Sequence, residues 1–314
     1  MGQAPDVVLV REPGNRTYNP PVPVVEMAKA QWEFAVLSEN VYRDDWTQGR
    51  ASAGRPRAEA GGVPAPTPED YARVCTPDST DPLPLPGWVR WDDFPSSDLR
   101  GAAREVGLFV EVWEKQSSPP VVAVVFRGTE FTSIKDWISN LRWFLRFVPF
   151  YEDQYTLVAR RVGRQVVDRL AQRAGQPAVR LVTAGHSLGG GLAQHLAYSL
   201  PPGGPRVSHV YAFDPSPVTG WSTVSHELRA GNARGLEIDR VFEHGEILAY
   251  VRLLVSYANP PSAADPAIRE VRFNFVESIN PIKSHSIRFL ACALIKASGQ
   301  APLPELSERF RGRE

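Results

Sequence analysis

One stretch limits the fold of this chain more than any other. Val179 to Ala184 is a mostly apolar run that predicts a buried strand, and Ser187 to Leu200 has helical character and stops at Pro201 and Pro202. Gly185-His186-Ser187-Leu188-Gly189 joins the two, so a serine sits on a strand-to-helix bend with glycine two positions before and two after it. Such a bend lifts the side chain above the sheet on strained backbone, and the glycines leave room where strand and helix cross. Ser187 then stands at a helix N-terminus, where free N–H groups and the helix dipole favour developing negative charge. Ser187 is thus a candidate nucleophile, and the main-chain N–H of Leu188 a candidate oxyanion donor. The plainer alternative is that Ser187 only caps its helix, a frequent role for serine.

The rest of the chain alternates in the same manner. Val24 to Trp46 has apolar residues at helical spacing. Val106–Trp113 and Val121–Phe126, split by Gln116 to Pro120, predict a hairpin. Gln154 to Arg173 carries Val158, Val162, Val166, Val167 and Leu170 on one helical stripe. Further strands are predicted over Val207–Phe213, Leu236–Phe242 and Val271–Val276, and a last helix over Ser286–Ala297. Strands alternating with helices predict the α/β class, with a mostly parallel central sheet covered by helices on both faces. A chain of 314 residues fits one such domain over 1–314. Residues 1–20 read as an irregular lead, and 49–87, dense in Pro, Gly and Ala, as a surface excursion without regular structure.

Composition narrows the function by exclusion. Lys plus Arg and Asp plus Glu both number 35, so no overall field draws the chain to nucleic acid or to an anionic surface. Cys75 and Cys292 are too few for a disulfide framework and are expected as free thiols. No apolar run reaches the ~18 residues of a membrane span, and no secretory signal pattern opens the chain. The default expectation is a cytoplasmic protein, with export by a signal-independent route left open. H-E-x-x-H, Walker and Cys-x-x-Cys patterns are absent, so neither a metal nor a cofactor is expected.

A second oxyanion donor normally comes from the loop after an earlier strand. Val121 to Phe126 leads into Arg127-Gly128-Thr129, which makes the Thr129 backbone N–H, with its hydroxyl beside it, the candidate. Phe126-Arg127-Gly128-Thr129 followed by Asp136-Trp137, and then Gly185-His186-Ser187-Leu188-Gly189-Gly190, resemble the two strongest motifs of the class 3, fungal-lipase-like, lipases of the α/β-hydrolase superfamily. The resemblance covers about Val106 to Leu294. The chain departs from it at Asp153-Gln154-Tyr155 and at Phe213-Asp214-Pro215-Ser216-Pro217, which makes it a divergent member. It implies the α/β-hydrolase fold and hydrolysis of acyl esters, with lipids as the substrate class and Thr129 at the oxyanion hole.

In that fold the order along the chain is serine, acid, histidine. His285, in a loop before the last helix, is the candidate base. Two carboxylates compete for the acid. Glu246, ahead of Ile247 and Leu248, resembles the family's acid position and is preferred; Asp214, ending the preceding strand, is its rival. His186, His195, His209 and His226 read as ordinary polar or half-buried side chains.

Ser133 to Asp136 has capping-box form and predicts a helix reaching Val148. Trp143 and Phe147 lie off its main apolar stripe, as a lid touching lipid or covering an acyl pocket requires, or as a fully buried helix does. The leading expectation is a lipase or esterase. A phospholipase or acyltransferase with the same triad, and a catalytically silent binding protein on the same scaffold, are the alternatives.

Overall fold

The computed structural model describes residues 7–43, 65–128, 154–173, 177–243, 262–275, 285–304 and 306. Among them lie nine strands: β1 (Val7–Arg11), β2 (Val22–Pro23), β3 (Trp88–Arg90), β4 (Val110–Lys115), β5 (Val121–Phe126), β6 (Arg180–His186), β7 (Val207–Phe213), β8 (Glu237–Glu243) and β9 (Ala267–Phe273). They form one sheet in the order β2-β1-β9-β8-β7-β6-β5-β4-β3. The pairs from β5 through β9 are parallel. At one edge β4 and β3 run antiparallel, and at the other β1 and β2 do the same. The sheet is therefore mixed, with a parallel centre, where a mostly parallel sheet was expected. The short link between β4 and β5 allows only a hairpin, which forces that edge to be antiparallel.

The seven described α-helices are α1 (Val24–Asn40), α2 (Pro68–Val74), α3 (Ser97–Glu105), α4 (Gly163–Ala171, after a π-helical turn over Val158–Val162), α5 (Leu188–Ser199), α6 (His226–Ala233) and α7 (Ile287–Ala297). Successive residues of the central strands serve opposite cores. Ala123, Val125, Val182, Ala184, Tyr211 and Phe213 meet α1 and α7, whereas Val122, Val124, Phe126, Leu181, Val210 and Ala212 meet α4 and α5. Burial on both faces explains why these strands read as near-continuous apolar runs. Strands β5 to β8 follow one another in a single direction across the sheet, and α4, α5 and α6 pack on the same face. The other face falls to α1 and α7.

Two segments read as irregular carry structure. Within the 1–20 lead, Leu9, Val10 and Arg11 pair with Arg272, Val271 and Glu270, an antiparallel ladder whose partner lies too far along the chain for local pattern to reveal. Within 49–87, α2 starts at Pro68, and the Thr67 hydroxyl and Asp70 carboxylate cap each other's backbone. A proline in the first helical turn sacrifices no intrahelical bond, so it favours a helix start rather than forbidding a helix. Tyr71, Val74, Cys75 and Leu83 are buried, which seats this stretch in the core beside α1 and α7.

The expectation of free thiols is also corrected: Cys75 and Cys292 form a disulfide, with Cα atoms 5.7 Å apart across a sequence separation of 217. Nothing in the apolar surroundings of either cysteine announces so distant a partner. Beside it the buried Arg288 donates to Glu39 of α1 at 2.7 Å and to the carbonyls of Val74 and Asp81 at 2.7 and 2.8 Å. Helix α7 is thereby fastened to α1 and to the segment after α2. Among the described residues no helix is long and apolar enough to cross a membrane. The helix predicted from Ser133 to Val148 lies outside the described residues.

Candidate active site

Strand β6 delivers its chain to the carboxyl edge of the parallel centre, where Phe126 lies opposite Gly185 and His186 opposite Phe213. Loops at this edge of an α/β sheet are where ligands meet the fold. Ser187 follows with φ 57° and ψ −122°, a left-handed conformation costly for a residue with a Cβ. Main-chain bonds hold it there: Ser187 N–H donates to Phe213 O at 2.9 Å, and Ser187 O accepts from Gly190 N and Ser216 N at 3.0 Å each. The Ser187 hydroxyl makes no capping bond to α5, so the plain helix-cap reading does not describe it. Leu188 opens α5, with its N–H in the first helical turn, where helical N–H groups lack partners within the helix.

The glycines do what the bend needs. A Cβ on Gly185 would stand 2.4 Å from the main-chain carbon and oxygen of Gly189. One on Gly189 would stand 2.3 Å from Phe126 O, and one on Gly128 2.5 Å from His186 O and 3.2 Å from Ser187 Cβ. Three backbone segments therefore touch around the serine, and any side chain at these positions would part them.

Asp214 ends β7 and, like Ser187, has positive φ, at 40°. It is fully buried, and its Oδ1 accepts from Glu243 N–H at 3.4 Å. His285 is buried immediately before Ser286, whose hydroxyl caps α7. Single ligand atoms of His186, Asp214 and His285 all lie within 4.8 Å of one another. The His186 and His285 rings are 4.7 Å apart, and His186 Nε2 is 4.0 Å from Asp214 Oδ2. Among the described residues this trio is the group able to surround a cation. Both ring nitrogens of His186 are already engaged, however, Nδ1 with the Tyr42 hydroxyl and Nε2 with His285 O, each at 3.1 Å, which makes it a poor metal ligand.

The structure thus brings Ser187, Leu188, Asp214 and His285 to one edge. Thr129 and Glu246 lie outside the described residues; Gly128, next to Thr129, is pressed against the elbow. His195 points into the molecule beneath the Tyr155 ring, and burial pulls its pKa down to about 4. His209 binds Glu237 and Asp239 at 3.2 and 3.3 Å. Burial resists ionisation of Asp239, yet the neighbouring His209 ring and the hydrogen bonds from Arg269 outweigh it and hold the carboxyl at about 2. Both are structural. Sequence reasoning passed over Tyr42 and His186. Tyr42 bears no motif, and His186 was read as an ordinary polar or half-buried side chain.

A comparison with curated proteins gave no significant match. Among solved structures, a deletion mutant of the Rhizomucor miehei lipase in complex with its propeptide is similar at 17% identity and a TM-score of 0.41, covering 80% of this chain and 64% of that one. The chain thus spans less than two thirds of that protein. A family model described as a Tle-like phospholipase domain matches residues 33–200, more than half of the chain, from α1 through the Ser187 bend to the end of α5. This match supports the broad lipase and phospholipase-like reading of the motifs and points to lipid hydrolysis; the narrower class 3 assignment does not follow from it. With elbow and match covering the same residues, the chain belongs to the Tle-like phospholipase domain family.

Proposed function

We propose that this protein is a serine hydrolase that cleaves the carboxylic esters of lipids, with phospholipids the substrate class its family favours. Ser187 Oγ attacks the acyl carbonyl while His285 takes its proton. The ester C–O bond then breaks, the imidazolium returns the proton to the leaving alkoxide, and water repeats the sequence on the acyl-enzyme. Leu188 N–H and, from the neighbouring loop, Thr129 receive the oxyanion. Asp214 takes the role of the acid that orients His285 in this reading, in place of Glu246, supported by its carboxylate lying, among the described residues, within 4.8 Å of a His285 ring nitrogen. These groups act without a cofactor.

The observation that carries the reading is Ser187 itself. A hydroxyl on positive-φ backbone, unused as a cap, stands at the same sheet edge as a buried carboxylate and a buried imidazole. The binding-protein alternative leaves that strain without a purpose. Hydrolysis of a short-chain phosphatidylcholine and of p-nitrophenyl butyrate by wild type and Ser187→Ala tests it. The substitution is expected to lower kcat at least about a thousandfold; equal rates would leave only the binding protein.

A further inference from the structure

Three backbone segments meet at the site, and one chain of side-chain hydrogen bonds runs through all of them. Tyr42 lies in the turn after α1, and its hydroxyl accepts from Gly128 N–H at 3.0 Å. The same hydroxyl bonds His186 Nδ1 at 3.1 Å, and His186 Nε2 bonds the main-chain oxygen of His285 at 3.1 Å. The order of donors follows from the ends. A carbonyl can only accept, so Nε2 of His186 carries a hydrogen and donates it to His285 O. In the neutral ring Nδ1 is then an acceptor, and the Tyr42 hydroxyl donates to it while accepting from Gly128. Every link has one donor and one acceptor, all pointing from the β5 loop to the His285 loop.

We propose that Tyr42 and His186 are positioning residues for the hydrolysis proposed above, an inference that rests on that reading. They fix the spacing between Gly128, packed against the serine bend, and the loop presenting His285. A Cβ on Gly128 would stand 3.2 Å from Ser187 Cβ, so a shift of the Gly128 backbone is felt at the nucleophile. His285 is held at its own main chain, so a shift of His186 moves the base. The rings support the same spacing, with Tyr42 edge-on to His186 at 6.0 Å and His186 tilted against His285 at 4.7 Å. His186 also adjoins Ser187 in sequence, so both halves of the site are set from the residue beside the nucleophile. Misplacement by about 1 Å can cost on the order of 100-fold in rate, which gives such a brace kinetic weight.

The test is a double-mutant cycle on p-nitrophenyl butyrate, with thermal melting of each variant. Tyr42→Phe keeps the ring and removes the hydroxyl; His186→Phe keeps a ring and removes both nitrogens. Each is expected to lower kcat roughly 10- to 100-fold with KM and melting temperature little changed. The double variant should be no slower than the slower single one, because both break one chain. His186→Gln, whose amide can still donate to His285 O, should recover part of the rate lost in His186→Phe. A wild-type kcat for Tyr42→Phe overturns the proposal, as do losses that multiply in the double variant or losses that track melting temperature. Ser187→Ala run alongside separates the two failures. If it is inactive while Tyr42→Phe is normal, the brace alone falls; if it keeps the wild-type rate, both readings fall.

Discussion

Asp214, at the end of β7, and His285, at the head of α7, bring ligand atoms within 4.8 Å of each other. In the proposed mechanism this carboxylate is the group that closes on the imidazole, fixes its tautomer and stabilises the imidazolium formed when serine gives up its proton. Asp214→Asn is therefore expected to lower kcat by about 10,000-fold, far more than Glu246→Gln. Steady-state kinetics of the two variants decide between them, and the reverse ranking would make Glu246 the acid.

The elbow glycine Gly185 differs sharply from Gly101. Gly185→Ala would set a methyl 2.4 Å from Gly189 main chain, which a change of rotamer cannot relieve. A loss of stability of about 1–3 kcal/mol or more is expected, with loss of activity. Gly101, inside α3, has nothing within 4 Å of a built Cβ and no positive φ. Gly101→Ala should instead stabilise by about 0.5–1 kcal/mol. Urea denaturation of both variants checks the opposite signs.

His195 links stability to pH. Burial beside Tyr155 lowers its folded pKa from 6.5 to about 4, so between these values the unfolded chain binds a proton that the folded one refuses. Its contribution is complete above about pH 6.5, falls away as pH drops toward 4, and amounts to a few kcal/mol in order of magnitude. Denaturation midpoints measured from pH 8 to pH 4 should show this decline in the wild type, and His195→Gln should flatten it. An unchanged slope in the variant would assign the decline to other groups.

The cystine adds a stability that reductant can remove. Replacing Cys75 and Cys292 together by Ala should lower unfolding stability by about 2–4 kcal/mol. Wild type treated with dithiothreitol should approach the variant in calorimetry, while the variant itself should not respond. A response of equal size in both would mean that the bond contributes nothing.

What the sequence revealed follows the range of its signals. The strand, bend and helix from 179 to 200, the hairpin of β4 and β5, and α7 were legible because a strand or helix writes its burial into neighbouring residues. Strand β1 was not: Val7 to Arg11 becomes a strand through β9, more than 250 residues onward. Proline density concealed α2, although Thr67 and Asp70 carried the capping signal. At the site, Ser187 and His285 were named from motif and chain order. For the acid, Glu246 was preferred and the proposal takes Asp214 instead, since choosing between two loop carboxylates requires knowing which strand end adjoins α7. Tyr42 was out of reach entirely, since its role rests on contacts to positions 128 and 186.

Seven of the nine described strands, β3 to β9, lie between the two cysteines, as do Ser187, Asp214 and His285. The sulfur bridge therefore turns that part of the chain into a covalent ring. Cys292 is the last residue of the ring to be synthesised, so closure can come only after the whole segment exists. It also needs an electron acceptor, which the polypeptide does not contain. Two molecules of identical sequence can thus differ in durability according to whether their surroundings accept thiol electrons.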